Sequence, residues 1–136
     1  MTERATLEAL LARVLEGTGP DEKIDGQLAL LKGYTYEKHK GDKFPWWRRP
    51  DGLRIAFYGN ENRPPPFTAS LDAALTMVPE GWSWFVAMRH YLAPVGAAGG
   101  VWQVGQQRAT FTADAATPAR ALIAACIKAR MEAQGE

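Results

Sequence analysis

Apolar residues recur at helical spacing near the start of the chain, and Gly17 ends the run; they are Leu7, Leu10, Leu11, Val14 and Leu15. The signal for the start of a second helix follows, with Thr18 as candidate cap, Pro20 in the first turn and two acids at the positive end of the helix dipole. Ile24, Leu28 and Leu31 then repeat at helical spacing up to Gly33. Residues 1–33 are therefore predicted to form a helical hairpin.

Residues 34–66 form a different, basic and aromatic segment. After the Pro50-Asp51-Gly52 turn, apolar and mixed positions alternate over 53–58, which predicts one strand. The prolines at 64–66 predict a stiff, extended connector into the next element.

The pattern over residues 67–136 predicts a helix-strand-strand-helix core. Thr68 or Ser70 can cap a helix over 70–78, and period-2 alternation over 82–91 predicts an apolar strand. The Pro/Gly/Ala-rich stretch 93–100 is predicted to be a flexible loop, and 101–111 an antiparallel return strand. An alanine-rich stripe predicts a last helix over 118–131.

These elements predict one domain over residues 1–136 of the mixed α/β class. We expect an α/β/α sandwich in which a small, mainly antiparallel sheet is covered by helices on both faces. The length of 136 residues and the 46% apolar content support a single hydrophobic core.

Charge and cysteine content narrow the class of protein. The net charge of +1 gives no global field for nucleic acid, membrane or an acidic substrate. No apolar run approaches the ~20 residues of a membrane span, and the N-terminus lacks a signal-peptide layout. One cysteine excludes an internal disulfide, which fits a reducing compartment. We therefore expect a cytoplasmic protein without membrane contact.

Candidate catalytic and metal-binding groups are few. The soft ligands are His39, His90 and Cys126, without any metal-binding spacing, so we expect no metal and no cofactor. Cys126 lies on an apolar helix stripe, where a thiol behaves as a small apolar group. Asp72 in a first helix turn and Glu80 in a turn have structural explanations. We expect no catalytic residues and a non-enzymatic protein.

The most suggestive cluster is the basic and aromatic stretch 38–49. Eight Lys/Arg against four acids lie between Lys32 and Arg63, a local excess of +4. Trp together with Arg is typical of protein-binding hot spots. Basic residues interleaved with aromatic residues also suit binding of nucleic acid. In the third interpretation, the tryptophans belong to the core and the lysines are a solvated rim around them. The candidate contact residues are Lys38, Lys40, Lys43, Trp46, Trp47, Arg48 and Arg49.

The order of elements from 70 to 131 is loosely similar to a double-stranded-RNA-binding domain. The lysine cluster that such a domain carries at the start of its last helix is missing, since Thr117, Pro118 and Arg120 stand there. Nucleic acid therefore stays the alternative to a protein partner.

Four stretches in the same order along most of the chain resemble the phage "ABA sandwich" family of small phage and prophage proteins. They are TGPDEKID at 18–25, WWRRPDG at 46–52, FTASLDAALTMVPEGW at 67–82 and ATPARALIAA at 116–125. The resemblance implies a layered α/β/α fold and a viral or prophage gene, and it supplies no catalytic residues. We expect an accessory protein that binds a phage or host protein, or a second copy of itself.

Overall fold

A computed structural model describes residues 2–38, 40–41, 45–50, 63–88, 96–105 and 111–134 of the chain. Helices α1 (Glu3–Glu16) and α2 (Glu22–Leu31) are followed by strands β1 (Thr35–Glu37) and β2 (Trp46–Arg48). Helix α3 (Leu71–Leu75) then precedes strands β3 (Trp82–Met88), β4 (Ala97–Gln103) and β5 (Phe111–Ala115), and helix α4 (Pro118–Gln134) comes last.

The predicted mixed α/β class is confirmed, with four helices and two small antiparallel sheets among these residues. Strands β1 and β2 form a two-stranded sheet, and the second sheet has the order β3-β4-β5. The predicted strand over 53–58 lies outside the described residues.

Side-chain caps explain where the helices begin. The Asp21 carboxylate accepts hydrogen bonds from the N–H groups of Lys23 and Ile24 and caps α2, so the predicted Thr18 cap is wrong. The predicted Ser70 cap is confirmed, since its hydroxyl accepts the Ala73 N–H. Each cap pairs donors that a helix leaves without an intrahelical partner.

The predicted loop and return strand are wrong in their boundaries. Strand β4 already begins at Ala97 and ends at Gln103. After it, Val104 and Gly105 form a turn, residues 106–110 lie outside the described part of the chain, and Phe111 begins strand β5. Glycine and alanine are typical of loops, but here they permit close packing. A Cβ on Gly99 would lie 2.7 Å from the backbone of Ala121, so α4 can approach β4 this closely only at glycine.

Helix α4 is the most enclosed element. It contacts all three strands of the larger sheet as well as α1 and α3, and its residues 119–127 are buried without interruption. Leu7, Leu10 and Val14 of α1 complete the core against it. On the sheet, Trp82 stacks on Phe111 at a ring distance of 6.1 Å.

Arg120 ties α4 to the end of α1. Its buried guanidinium donates to the carbonyls of Val14 at 3.0 Å and Gly19 at 3.0 Å, which compensates the unpaired carbonyls at a helix C-terminus. A methyl group at Gly17 would overlap that guanidinium. Arg120 therefore has a structural role that a sequence pattern does not reveal.

Candidate functional site

The predicted contact segment 38–49 divides into exposed and buried members. Lys38, Lys40 and Arg49 are exposed, and Trp46 is half-buried. Trp47 and Arg48 are both buried at 8% exposure, and Lys43 lies outside the described residues. The exposed members of the predicted surface are therefore cationic rather than aromatic.

Trp47 belongs to the hydrophobic core. Its indole lies against α2, where a Cβ on Gly26 would be 3.5 Å from the ring, and Tyr36 packs on it from the paired strand at a ring distance of 5.1 Å. Tyr36 itself remains 49% exposed. Because the Trp47 ring is covered on both sides, it stabilises the hairpin against α2 and offers little surface to a partner.

A pocket of about 460 Å³ lies between the end of α2, the turn after α3, the start of β3 and the second half of α4. Its walls are mainly apolar and include Leu31, Met77, Val78, Pro79, Trp82 and Ile127. The volume falls in the range of roughly 300–1,000 Å³ that is typical of ligand sites. We take this pocket as the candidate site.

Small side chains on α4 leave room for the pocket. Cys126, Ala129 and Ala133 line it at helical spacing, and Trp82 from β3 forms part of the opposite wall. Met77 and Val78 belong to the turn that follows α3, where the N–H groups of both residues are hydrogen-bonded to α3 carbonyls. The wall is thus built on hydrogen-bonded backbone.

Burial perturbs two titratable groups that line the pocket, Lys32 and Cys126. Burial lowers the pKa of the Lys32 ammonium, and the neighbouring Cys126 acts weakly in the opposite direction. Burial raises the pKa of the Cys126 thiol to about 12, although the Lys32 charge opposes this. The thiol is therefore protonated at neutral pH and a poor nucleophile, because the thiolate is the reactive form.

The other charged residues that line the pocket are Glu80 and Arg130. The Arg130 guanidinium is paired with Glu3 of α1 at 3.1 Å, so its charge is already compensated. Glu80 is exposed in the turn before β3. Lys32 donates a hydrogen bond to the Thr76 carbonyl, which is a neutral acceptor.

A second polar cluster surrounds Asp25 on the buried side of α2. Its carboxylate accepts the Thr68 N–H at 2.8 Å, while the Thr68 hydroxyl accepts the Asp21 N–H at 2.8 Å. Burial raises the pKa of Asp25 from 3.8 to about 6, against the hydrogen bonds from Thr68 and the charge of Arg120. These bonds tie the segment before α3 to the start of α2, so we assign the cluster a structural role.

The remaining sequence candidates form no metal site within the described part of the chain. His39 and His90 lie outside the described residues, and within the part of the chain that is described there is no group of three or more His, Cys, Asp or Glu side chains able to hold a metal ion. Asp72 is exposed at the start of α3. None of the helices described here has both the length and the apolar character needed to cross a membrane.

Comparisons with protein-family models, with curated proteins and with solved structures find no match. Lys32 and the pocket were missed at the sequence level, because Lys32 follows the predicted helix as an ordinary surface lysine. Only the fold brings it to Cys126 and Trp82.

Proposed function

We propose that the protein is a non-enzymatic protein-binding module whose pocket receives an apolar side chain of its partner. The observation that carries this proposal is the mainly apolar pocket of about 460 Å³ at the end of α2. Buried apolar anchors inserted into preformed pockets contribute most of the affinity in many protein interfaces.

Exposed apolar residues in the segments that border the pocket support a macromolecular partner. Leu30, which precedes the pocket residue Leu31 in the sequence, is 58% exposed, and Val104 is 71% exposed. Val104 is hydrogen-bonded to Gly81, which lies between the pocket residues Glu80 and Trp82. Apolar surface around a pocket is typical of protein contact sites, whereas a small molecule would leave it in water.

The chemistry of the pocket supports binding rather than catalysis. A thiol with a pKa of about 12 is not an activated nucleophile, and Lys32 is hydrogen-bonded to a backbone carbonyl rather than to a base. The pocket offers a partner a complementary shape, apolar area and the positive charge of Lys32.

The biological setting is part of the proposal and depends on the sequence resemblance. The four stretches at 18–25, 46–52, 67–82 and 116–125 support a phage or prophage origin and an accessory role in the cytoplasm of a bacterial host. The partner is then a phage protein, a host protein or a second copy of this chain.

The proposal is tested by a substitution that places a large side chain at the rim of the pocket. Ala133 lines the pocket and is exposed, so Ala133→Trp should block the pocket without disturbing the core. Ala12→Trp on the exposed face of α1 is the matched control. Peptides are selected from a displayed random library on the wild-type protein and remeasured on both variants by calorimetry.

We expect selected peptides with an apolar anchor to lose binding on Ala133→Trp and to keep it on Ala12→Trp. The absence of any pocket-dependent peptide, with both variants folded by circular dichroism, would overturn the proposal. Selection of peptides that bind both variants equally would place the contact elsewhere and contradict it as well.

Nucleic-acid binding through segment 38–49 is the second candidate function. The exposed side chains of Lys38, Lys40 and Arg49 favour it, and Lys43 belongs to the same proposal. Phosphate contacts give a steep loss of affinity with salt. A fluorescent single strand that binds with such a slope, and is lost on the Lys40→Ala/Arg49→Ala variant, would support this alternative.

A further inference from the structure

We propose that the pocket recognises the free C-terminal carboxylate of its partner, with Lys32 as the binding cation and an apolar last side chain in the cavity. This inference depends on the proposed function, because it names the part of the partner that enters the pocket. The anchor is then the C-terminal residue of the partner, and Lys32 binds its carboxylate.

The backbone fixes Lys32 at the edge of the pocket. Its N–H donates to the carbonyls of Leu28 and Ala29 at 3.1 Å each, which closes the last turn of α2. The side chain is half-buried, and its ammonium group donates to the Thr76 carbonyl from the turn that forms another wall. The charge is therefore held within the pocket instead of extending freely into solvent.

The charge of Lys32 lacks an anionic partner in the described part of the chain. Among those residues no carboxylate lies within 4.0 Å of the ammonium, and its hydrogen bond goes to a neutral carbonyl. The groups that line the pocket around it are the neutral Cys126 thiol, Glu80 from the 79–81 turn, and Arg130, whose charge is paired with Glu3. A partly desolvated cation of this kind gains most from an anionic ligand.

The combination of one cation with an apolar cavity matches a chain terminus. In a C-terminal residue the carboxylate and the side chain are attached to the same Cα, so a single small site satisfies both. Capture of C-terminal carboxylates is an established mode of peptide recognition. An internal acidic residue would place its charge and its apolar neighbour on different residues, which requires two separated subsites.

The experiment uses acetylated tetrapeptides of the form Ser-Gly-Ser-X, in which X is Leu, Ile, Met, Phe or Trp. Each peptide is compared as the free acid and as the C-terminal amide, by NMR titration of the wild-type protein at millimolar concentration. The Trp82 indole N–H and the Lys32 Cε signal report occupancy of the pocket.

We expect the best free acid to bind about ten-fold more tightly than its amide, which corresponds to one charged hydrogen bond. Lys32→Met should remove this preference, and Lys32→Arg should retain most of it. Lys23→Met, which removes an exposed lysine from the same helix, is the matched control and should leave the preference unchanged.

Stability measurements separate recognition from folding. Lys32→Met removes a partly desolvated charge, so we expect a midpoint of urea unfolding close to that of the wild type. Equal binding of acids and amides, or an acid preference that survives Lys32→Met, would overturn the inference while leaving the proposed function standing.

Binding of neither peptide form would overturn the inference too. The displayed library then decides whether the proposed function also fails, because it presents internal sequences. Library peptides that lose binding on Ala133→Trp would uphold a pocket for internal apolar anchors.

Discussion

Replacing Asp25 by asparagine should stabilise the protein at neutral and alkaline pH. Asp25 is buried on α2, and its Oδ1 atom accepts the Thr68 N–H at 2.8 Å. Asparagine carries an acceptor at the same position, so the variant keeps this hydrogen bond, while an uncharged amide NH2 replaces the second carboxylate oxygen.

The magnitude follows from the pKa of the carboxyl group. Burial raises this pKa from 3.8 to about 6, and the nearby Asp21 charge adds to the increase, while Thr68 and Arg120 act against it. At about 1.4 kcal/mol per pKa unit, ionisation of Asp25 costs the folded state about 3 kcal/mol. The amide loses the charged character of the bonds from Thr68, so we expect a net gain of about 1–2 kcal/mol at pH 8.

The pH dependence has a definite sign. Because the folded-state pKa lies above the unfolded-state value, the stabilisation from protonating Asp25 is complete below pH 3.8 and is lost as the pH rises through about 6. The difference in unfolding free energy between Asp25→Asn and wild type should therefore grow between pH 4 and pH 7 and then level off.

Urea unfolding monitored by tryptophan fluorescence measures that difference across the pH range. Any other group that titrates in this range contributes equally to wild type and variant, so its effect cancels in the difference. Asp72→Asn, which removes an exposed carboxylate from the first turn of α3, is the control and should show no such increase. A variant that is less stable than wild type at pH 8, or a difference that does not change with pH, would refute the reasoning.

Four further substitutions test the packing by the same unfolding assay. Gly26→Ala should raise the free energy of unfolding by about 0.5–1 kcal/mol, because its methyl group would meet Trp47 at an ordinary contact distance of 3.5 Å and α2 would no longer contain a glycine. A clear decrease in the free energy of unfolding would contradict this contact. Gly99→Ala should lower the free energy of unfolding by about 1–3 kcal/mol, since its methyl group would collide with the backbone of α4 at 2.7 Å. Gly100→Ala should lower it less, because its methyl group meets the Phe85 ring, which can rotate. The reverse order of the two losses would contradict this reasoning. Trp47→Ala should cost about 3–5 kcal/mol as a core truncation, whereas a surface tryptophan would change the unfolding free energy little.

The helices were predictable because their signals are local. The leucine spacing before Gly17 and the Ser70 cap depend on residues within one or two turns, and the structure has α1 and α3 at those places. The Thr18 prediction failed because several residues before a helix can cap it. Asp21 is one position before the first helical residue, where its carboxylate reaches the donors of Lys23 and Ile24.

The glycine-rich strand and the site depend on contacts that are distant in the sequence. Gly99 is part of a strand because it pairs with Val86 and Ala113, and the close approach of α4 requires glycine there. Nothing in residues 93–100 indicates these distant contacts. Trp47 likewise is a residue type typical of binding anchors, and its contacts with α2 and Tyr36, which the sequence does not show, make it a core residue. Residue type alone cannot separate these cases, because the same aromatic side chains dominate cores and interfaces.

The small residues of α4 explain why the pocket lies where it does. In the first half of the helix, Ala121 allows the backbone to approach Gly99, which brings α4 and the sheet into close contact. In the second half, Cys126, Ala129 and Ala133 continue the small side chains, but the partners there are Trp82 and the turn after α3. These partners do not fill the space that the small side chains leave, so the same helix packs tightly at one end and borders a pocket at the other. Enlarging the exposed Ala133 therefore tests binding, whereas enlarging the buried Ala121 tests the fold.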